Sequence, residues 1–164
     1  MKNKLYIHIG LHKTATTSLQ KFVFPRLPSF KFIGRNDLPL NNQNELYLEL
    51  VKYCFSKKQD KPKEVELRSA LITELKANKV ILSDEWFSAD FDGFYKFEGA
   101  SWQMKLDKLS RIINGLDYKL VVTLRDPFDG VFSQYSEFNQ VGIESKYSTF
   151  KEYFYNSNDS NVYK

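Results

Sequence analysis

Short apolar runs alternate with longer amphipathic segments along the chain, which is typical of a protein that builds strands and helices in turn. Apolar runs rich in β-branched and aromatic residues predict strands at 4–9, 30–34, 80–83 and 118–124. Helical spacing of apolar residues predicts helices at 19–24, 45–56, 63–77, 102–113, 127–139 and 150–156. In the first of these helices, Leu19, Phe22 and Val23 are expected to face inward.

This order of elements predicts an α/β fold, with a mostly parallel sheet and helices on both faces in three layers. The chain has 164 residues, which suits a single domain spanning residues 1–164. No internal repeat or linker divides it. In parallel α/β folds, ligands bind at the carboxyl ends of the strands, so the segments that follow the strands are where chemistry is expected.

Composition and charge indicate the cellular compartment and the kind of ligand. The only cysteine, Cys54, has no partner within the chain, which fits the reducing cytoplasm. No apolar run is long enough to span a membrane. Residues 1–82 carry 15 basic and 7 acidic side chains, a balance of +8, whereas residues 83–164 carry 9 and 13, a balance of −4. The basic half suits an anionic ligand. No nucleic-acid-binding motif is present, so a nucleic-acid partner is not expected.

The first candidate site is the segment 10–18, GLHKTATTS, which leaves a strand and opens a helix. Backbone N–H groups at a helix start attract anions, and Lys13 adds a full positive charge. The hydroxyls are donors that suit a phosphate; they belong to Thr14, Thr16, Thr17 and Ser18. The alternative is that a hydroxyl here only caps the helix. The segment is not a Walker A motif, which needs a lysine directly after its second glycine.

The second candidate site follows the strand 118–124. Arg125 ends that strand, and Ser133 lies eight residues on, about two turns into the predicted helix. A guanidinium and a hydroxyl at this spacing suit one anion. The alternative is an arginine paired with Asp126 or Asp129 at a strand end.

A third candidate follows the strand 80–83. Asp84 and Glu85 follow this strand directly, and a carboxylate at a strand end near the anion loop is well placed to act as a general base. The alternative is a structural carboxylate that pairs with Lys13 or caps a helix. His8 lies on a strand and is expected to be a hydrogen-bonded core histidine. His12 lies in the loop, where it is placed to contact the molecule that donates, or the molecule that accepts, a transferred group.

The stretch IHIGLHKTATTSLQ resembles the 5′-phosphosulfate loop of sulfotransferases that use 3′-phosphoadenosine 5′-phosphosulfate (PAPS). The family pattern is G-x-x-K-T-G-T-[TS]-x-L after a strand. This chain matches it at Gly10, Lys13, Thr14, Thr16, Thr17 and Leu19. It departs at Ala15, where the family has glycine, and alanine would strain any left-handed backbone there.

The segment after the strand 118–124 is similar to the 3′-phosphate motif of the same family. Arg125, Pro127, Ser133 and Tyr135 match L-R-[DN]-P-x-[DE]-x-x-x-S-x-Y. The two motifs stand in the family's order, about 110 residues apart, and together they are far more specific than either alone.

The resemblance implies transfer of a sulfuryl group from PAPS to a hydroxyl or amine of a small molecule or a carbohydrate, without a metal. Lys13 would be catalytic, with Glu85 as base, because Glu85 falls where cytosolic members of the family have their catalytic histidine; Asp84 is the second choice. The expected PAPS-binding residues are Gly10, His12, Lys13, Thr14, Ala15, Thr16, Thr17, Ser18, Arg125 and Ser133. The sequence does not specify the acceptor or the oligomeric state.

Two other functions stay open at this point. One is a P-loop-like small-molecule kinase, and the other is an inactive nucleotide-binding module. Family members usually run well past 200 residues, with a later basic loop over the nucleotide. This chain is therefore expected to be either a minimal domain or a fragment.

Overall fold

The computed structural model describes residues 4–10, 14–35, 44–89, 99–140 and 147–157. The strands are β1 (Leu5–Gly10), β2 (Phe30–Gly34), β3 (Lys79–Ser83) and β4 (Tyr118–Thr123). They form one sheet in the order β2-β3-β1-β4, and every pair is parallel. The α/β class and the parallel sheet predicted from the apolar runs are thus confirmed.

The helical segments lie between the strands and, for the last two, after β4, most of them close to the predicted positions. They are α1 (Thr16–Ser18), a π-helical turn (Leu19–Val23), a 3-10 turn (Phe24–Arg26), α2 (Glu45–Phe55), α3 (Lys61–Ala77), a second 3-10 turn (Glu85–Ser88), α4 (Trp102–Ile113), α5 (Pro127–Gln140) and α6 (Phe150–Asn156). Side-chain caps explain where six of them begin, because an Asx or hydroxyl oxygen accepts a first-turn N–H. These caps are Asn44, Asp60, Asp84, Ser101, Asp126 and Thr149.

The main core lies between one face of the sheet and helices α2, α3 and α4. Leu5, Ile7 and Ile9 alternate along β1 and join this apolar cluster. The intervening residues of β1 face the opposite side, where the ring of His8 packs against Phe24 from the first 3-10 turn, with ring centroids 5.1 Å apart. Helical segments therefore contact both faces of the sheet.

The prediction for the inner side of the first helical segment is wrong for Phe22 and Val23, whereas Leu19 is half-buried. Phe22 and Val23 are exposed, whereas Thr16 and Gln20 are buried. The backbone explains the change of face, because the segment is α-helical for only three residues and then widens into a π-helical turn. A wider turn rotates later residues away from the positions that a regular helix would give them.

A buried lysine forms hydrogen bonds to the backbone of the turn that follows β3. Lys105 on α4 is fully buried and donates to the carbonyls of Trp86 and Ala89, at 3.2 and 2.7 Å. Its ammonium also lies 4.4 Å from the ring centroid of Phe55. Because a buried charge needs partners, these contacts tie α4 to the 3-10 turn that carries Glu85.

Strand β4 lies at an edge of the sheet and is exposed on both faces. Leu120, Val121 and Val122 each expose between 43% and 54% of their surface, although successive residues point to opposite sides.

Helix α5 follows β4 and packs on α6. The rings of Phe128 and Phe132 each lie with their centroids 5.2 Å from that of Phe150. In the part of the chain that the structure describes, no helix is long and apolar enough to cross a membrane.

Candidate active site at the strand ends

The parallel register brings the candidate segments to one edge of the sheet. Gly10 at the end of β1 lies opposite Thr123 at the end of β4. Two residues earlier, His8 lies opposite Ser83 at the end of β3. The loop after β1, the turn after β3 and the segment after β4 therefore all start from the same carboxyl edge.

Gly10 allows an unusually close approach between β1 and its surroundings. A Cβ atom at this position would lie 2.2 Å from the hydroxyl oxygen of Thr123 and 2.3 Å from the methyl carbon of Thr16. The hydroxyl of Thr14 would be 2.8 Å away. Gly10 is therefore required for space at the end of a strand, rather than for a left-handed turn.

The left-handed residue in this loop is Ala15 instead. Its backbone has φ 62° and ψ 18°, directly before α1. This is the position at which the resembling family has glycine and at which strain was expected. For an L-residue such a conformation costs about 1–2 kcal/mol.

The loop hydroxyls do not share one environment. Thr14 is half-buried, Thr16 is buried, and Thr17 and Ser18 are exposed. Of these, Thr14 reaches across to the end of β4, since its Oγ1 lies 2.9 Å from Oγ1 of Thr123. The predicted site residues His12 and Lys13 lie outside the described residues.

The predicted 3′-phosphate residues follow β4 as expected. Arg125 is exposed two residues beyond Thr123, and Ser133 is half-buried in the second turn of α5. The carboxylate of Asp126 accepts the N–H of Asp129 at 3.1 Å, so it caps the start of α5. Arg125 therefore stands between a strand end and a helix start, on the edge that holds Gly10.

Glu85 is brought to the same edge but is strongly engaged there. It is 6% exposed. Arg35 donates to one carboxylate oxygen at 3.0 Å, and Gln20 donates to the other at 2.9 Å. Arg35 follows β2, so this ion pair links the segments after β2 and β3. A structural role for Glu85 thus has a partner in Arg35, where the sequence suggested Lys13.

Asp84, the second choice as base, points elsewhere. It is fully buried and accepts from the hydroxyl of Tyr47 on α2 at 2.8 Å and from the N–H of Trp86 at 3.0 Å. Burial raises the pKa of Asp84 to about 7, and the neighbouring charge of Glu85 acts in the same direction. A carboxyl enclosed in this way is poorly placed to meet an acceptor.

Hydrogen bonds join these groups across all four strand ends. We call this set the strand-end network; it consists of Thr14, Thr123, His8, Ser83, Gln20, Glu85 and Arg35. His8 stands at its centre, with Nε2 at 3.3 Å from Oγ1 of Thr123 and Nδ1 at 2.8 Å from Oγ of Ser83. His8 is the buried, hydrogen-bonded histidine that its strand position predicted, and burial lowers its pKa against the opposing charge of Glu85.

Most members of this network were not predicted from the sequence. Ser83 and Thr123 were parts of apolar runs, and Gln20 was not considered. One signal was present, since a hydroxyl residue closes the apolar run of β3 and another closes that of β4. Among the described residues, no group of three or more His, Cys, Asp and Glu side chains is arranged to hold a metal ion.

Comparisons of this chain with family models, with curated proteins and with solved structures find no match.

Replacing Ala15 by glycine should stabilise the protein. The change removes the left-handed strain but adds backbone freedom to the unfolded chain, so we expect a net gain of about 0.5–1 kcal/mol. Urea denaturation of both proteins measures it. Ala70→Gly, at an exposed position inside α3, is the matched control and should lose about 1 kcal/mol. A loss of similar size in both variants would contradict the strain at Ala15.

The pKa of Asp84 is about 7 in the folded protein, against an ordinary value of 3.8. Asp84 should therefore make the protein less stable as the pH rises from about 3.8 to about 7. Over this window the folded chain holds a proton that the unfolded chain has released, so the free energy of unfolding falls by up to about 1.4 kcal/mol per pH unit. Asp84→Asn should remove this part of the slope, whereas Asp117→Asn, at an exposed carboxylate, should leave it. Urea denaturation between pH 4 and 8 measures the slopes, and parallel curves for wild type and Asp84→Asn would refute the assignment.

Proposed function

We propose that this protein is a sulfotransferase that uses PAPS as donor and a hydroxyl or amine as acceptor. The observation that carries the proposal is a contact between the first candidate motif and the strand residue that lies just before the second motif. Thr14 in the loop after β1 lies 2.9 Å from Thr123, and Thr123 is two residues before Arg125. Two segments that each suit an anion, 109 positions apart in sequence at this contact, thus start side by side. This is what a nucleotide with phosphates at two positions requires.

In this proposal the loop after β1 binds the 5′-phosphosulfate. Lys13 and the loop hydroxyls stabilise the charge that develops on the bridging oxygen as the sulfur–oxygen bond breaks. Arg125 and Ser133 bind the 3′-phosphate, because a guanidinium donates two hydrogen bonds in one plane to such a group. The sulfuryl group passes to the acceptor oxygen or nitrogen, which gives up its proton.

Glu85 is the proposed base for that proton. It lies at the strand edge that carries the loop, and each carboxylate oxygen keeps a second lone pair beside the bonds from Arg35 and Gln20. The ion pair with Arg35 holds the carboxylate in one orientation. We propose no metal for the reaction, since the donor's charge is met by side chains and backbone N–H groups.

Binding of the desulfated donor tests the nucleotide site. Wild-type protein should bind 3′-phosphoadenosine 5′-phosphate in calorimetry, and Arg125→Ala should weaken binding by about ten-fold or more, because a charge-assisted contact to phosphate is lost. Lys119→Ala, at an exposed position on β4, is the matched control and should bind like wild type. Binding of ATP with Mg²⁺, with none of the 3′-phosphorylated nucleotide, would reject the proposal in favour of a kinase.

The turnover rate of a Glu85 variant tests whether Glu85 is the base. In a sulfate-transfer screen of hydroxyl and amine acceptors, Glu85→Gln should lower the rate by about 10²-fold or more, since general base catalysis is worth that much. The nucleotide affinity of the variant is measured alongside, because Gln20 and Arg35 both donate to the Glu85 carboxylate. Glu64→Gln is the control, because Glu64 also accepts from an arginine, Arg111 at 3.1 Å, but lies on α3. Equal turnover in wild type and Glu85→Gln would leave Glu85 only its structural role.

A further inference from the structure

A buried glutamine in the first helical segment is not explained by the apolar pattern of the sequence. Gln20 is 2% exposed, whereas its apolar neighbours Phe22 and Val23 are exposed. Burying an amide while two apolar side chains stay in water costs free energy unless the amide is hydrogen-bonded. The partners of Gln20 therefore indicate the role of this position.

The side-chain amide of Gln20 bonds to two residues at the end of β3. Its nitrogen Nε2 lies 2.9 Å from Oε2 of Glu85 and 3.1 Å from Oγ of Ser83. A carboxylate only accepts hydrogen bonds and an amide nitrogen only donates them, so both bonds run away from Gln20. Each N–H of the amide has its own acceptor, which gives the amide a single orientation.

The backbone that carries Glu85 is held by other groups. Lys105 donates to two carbonyls of this 3-10 turn. The hydroxyl of Ser88 donates to the carbonyl of Gly10 across 2.8 Å, which joins the turn to the end of β1. These bonds fix the main chain of the turn, but the Glu85 side chain can still rotate unless its carboxylate has partners of its own.

The Glu85 carboxylate has one donor on each oxygen. Arg35 donates to Oε1 at 3.0 Å, and Gln20 donates to Oε2 at 2.9 Å. Arg35 follows β2, whereas Gln20 lies two residues after Ser18, at the end of the candidate anion loop. Gln20 is therefore the partner that connects the carboxylate to the loop after β1.

We propose that Gln20 is a positioning residue, which holds the Glu85 carboxylate in one orientation beside the loop after β1. The role of Glu85 as general base rests on the proposed function. A displacement of about 1 Å at a reacting group can cost about 10²-fold in rate, so the orientation of a base matters as well as its presence. Gln20 contacts neither the donor nor the acceptor in this proposal and acts through Glu85.

A double-mutant cycle tests whether Gln20 acts through Glu85. Gln20→Met has a similar length but no N–H donor, and its kcat should fall by about ten-fold or more. The rate is measured with the best acceptor of the sulfate-transfer screen and with saturating PAPS, so that a change in nucleotide affinity does not enter. The double variant Gln20→Met/Glu85→Gln should be no slower than Glu85→Gln alone, because without the base there is nothing left to position.

Two results of this cycle would overturn the proposal. One is a wild-type kcat in Gln20→Met. The other is a double variant in which the two losses multiply, because Gln20 would then act independently of Glu85.

Tyr53→Phe is the matched control for a lost hydrogen bond. The hydroxyl of Tyr53 donates to Glu64 at 2.8 Å, and Glu64 also accepts from Arg111, so this carboxylate has an arginine and a neutral donor, as Glu85 has. Tyr53→Phe should keep the wild-type kcat. A loss as large as that of Gln20→Met would contradict the positioning role, since any missing bond of this kind would then slow the enzyme.

A milder substitution serves if Gln20→Met does not fold. Gln20→Asn keeps a buried amide but is one methylene shorter, which draws the amide nitrogen away from Glu85. Its kcat should fall as well, and the loss should again disappear in the Glu85→Gln background. An unchanged kcat in Gln20→Asn would count against the proposal.

The contact itself is measured without any ligand. In ¹H–¹⁵N spectra of the ligand-free protein, the side-chain NH₂ signals of Gln20 are those that Gln20→Met removes. They should exchange with water more slowly than those of Gln103, which is exposed on α4, and Glu85→Ala should shift them. Exchange as fast as that of Gln103, or signals that Glu85→Ala leaves in place, would refute the bond from Gln20 to Glu85.

These measurements separate the inference from the proposed function. If wild type transfers the sulfuryl group and Gln20→Met does so equally fast, the role of Gln20 is wrong and the function stands. If wild type neither binds the nucleotide nor transfers the group, the proposed function fails, and the role of Gln20 toward a base fails with it. The spectra then still decide whether Gln20 holds the Glu85 carboxylate.

Discussion

The close approach of β1 and β4 at Gly10 is the constraint on which the site depends. With any side chain at this position, the hydroxyl of Thr123 would be displaced, since a Cβ would come within 2.2 Å of it. The contact between Thr123 and Thr14 would then be lost as well. A hydrogen atom in place of a methyl group thus allows two distant segments to share one edge of the sheet.

The buried polar groups at this edge stabilise the fold only as a complete set. A buried donor or acceptor without a partner costs about 1–3 kcal/mol, and His8, Ser83 and Gln20 are each buried. Their mutual hydrogen bonds offset that cost, and the ion pair of Glu85 with Arg35 closes the set at the β2 side. Lys105 adds a second support from α4, because it holds the carbonyls of the turn that carries Glu85. The site is therefore built on strand ends and a clamped turn.

The elements of this fold were predictable because each leaves a local mark in the sequence. Apolar runs located the four strands, and α4 and α6 have the bounds that their patterns predicted. The inner side of the first helical segment was not predictable, since a π-helical turn has no marker among Leu19–Val23. The partners in the site were missed for a different reason. Strand order and register decide which side chains Ser83, Thr123 and Arg35 contact. Neither property can be determined from any one segment of the sequence.

The outer edge of strand β4 matters for a reason that does not involve the candidate site. In the part of the chain that the structure describes, β4 pairs with β1 on one side only, and its residues Leu120, Val121 and Val122 are apolar and exposed. Such a margin is a template onto which another extended peptide adds itself, main chain to main chain. A charged side chain on such a strand disfavours this pairing, which is how many natural edge strands are protected.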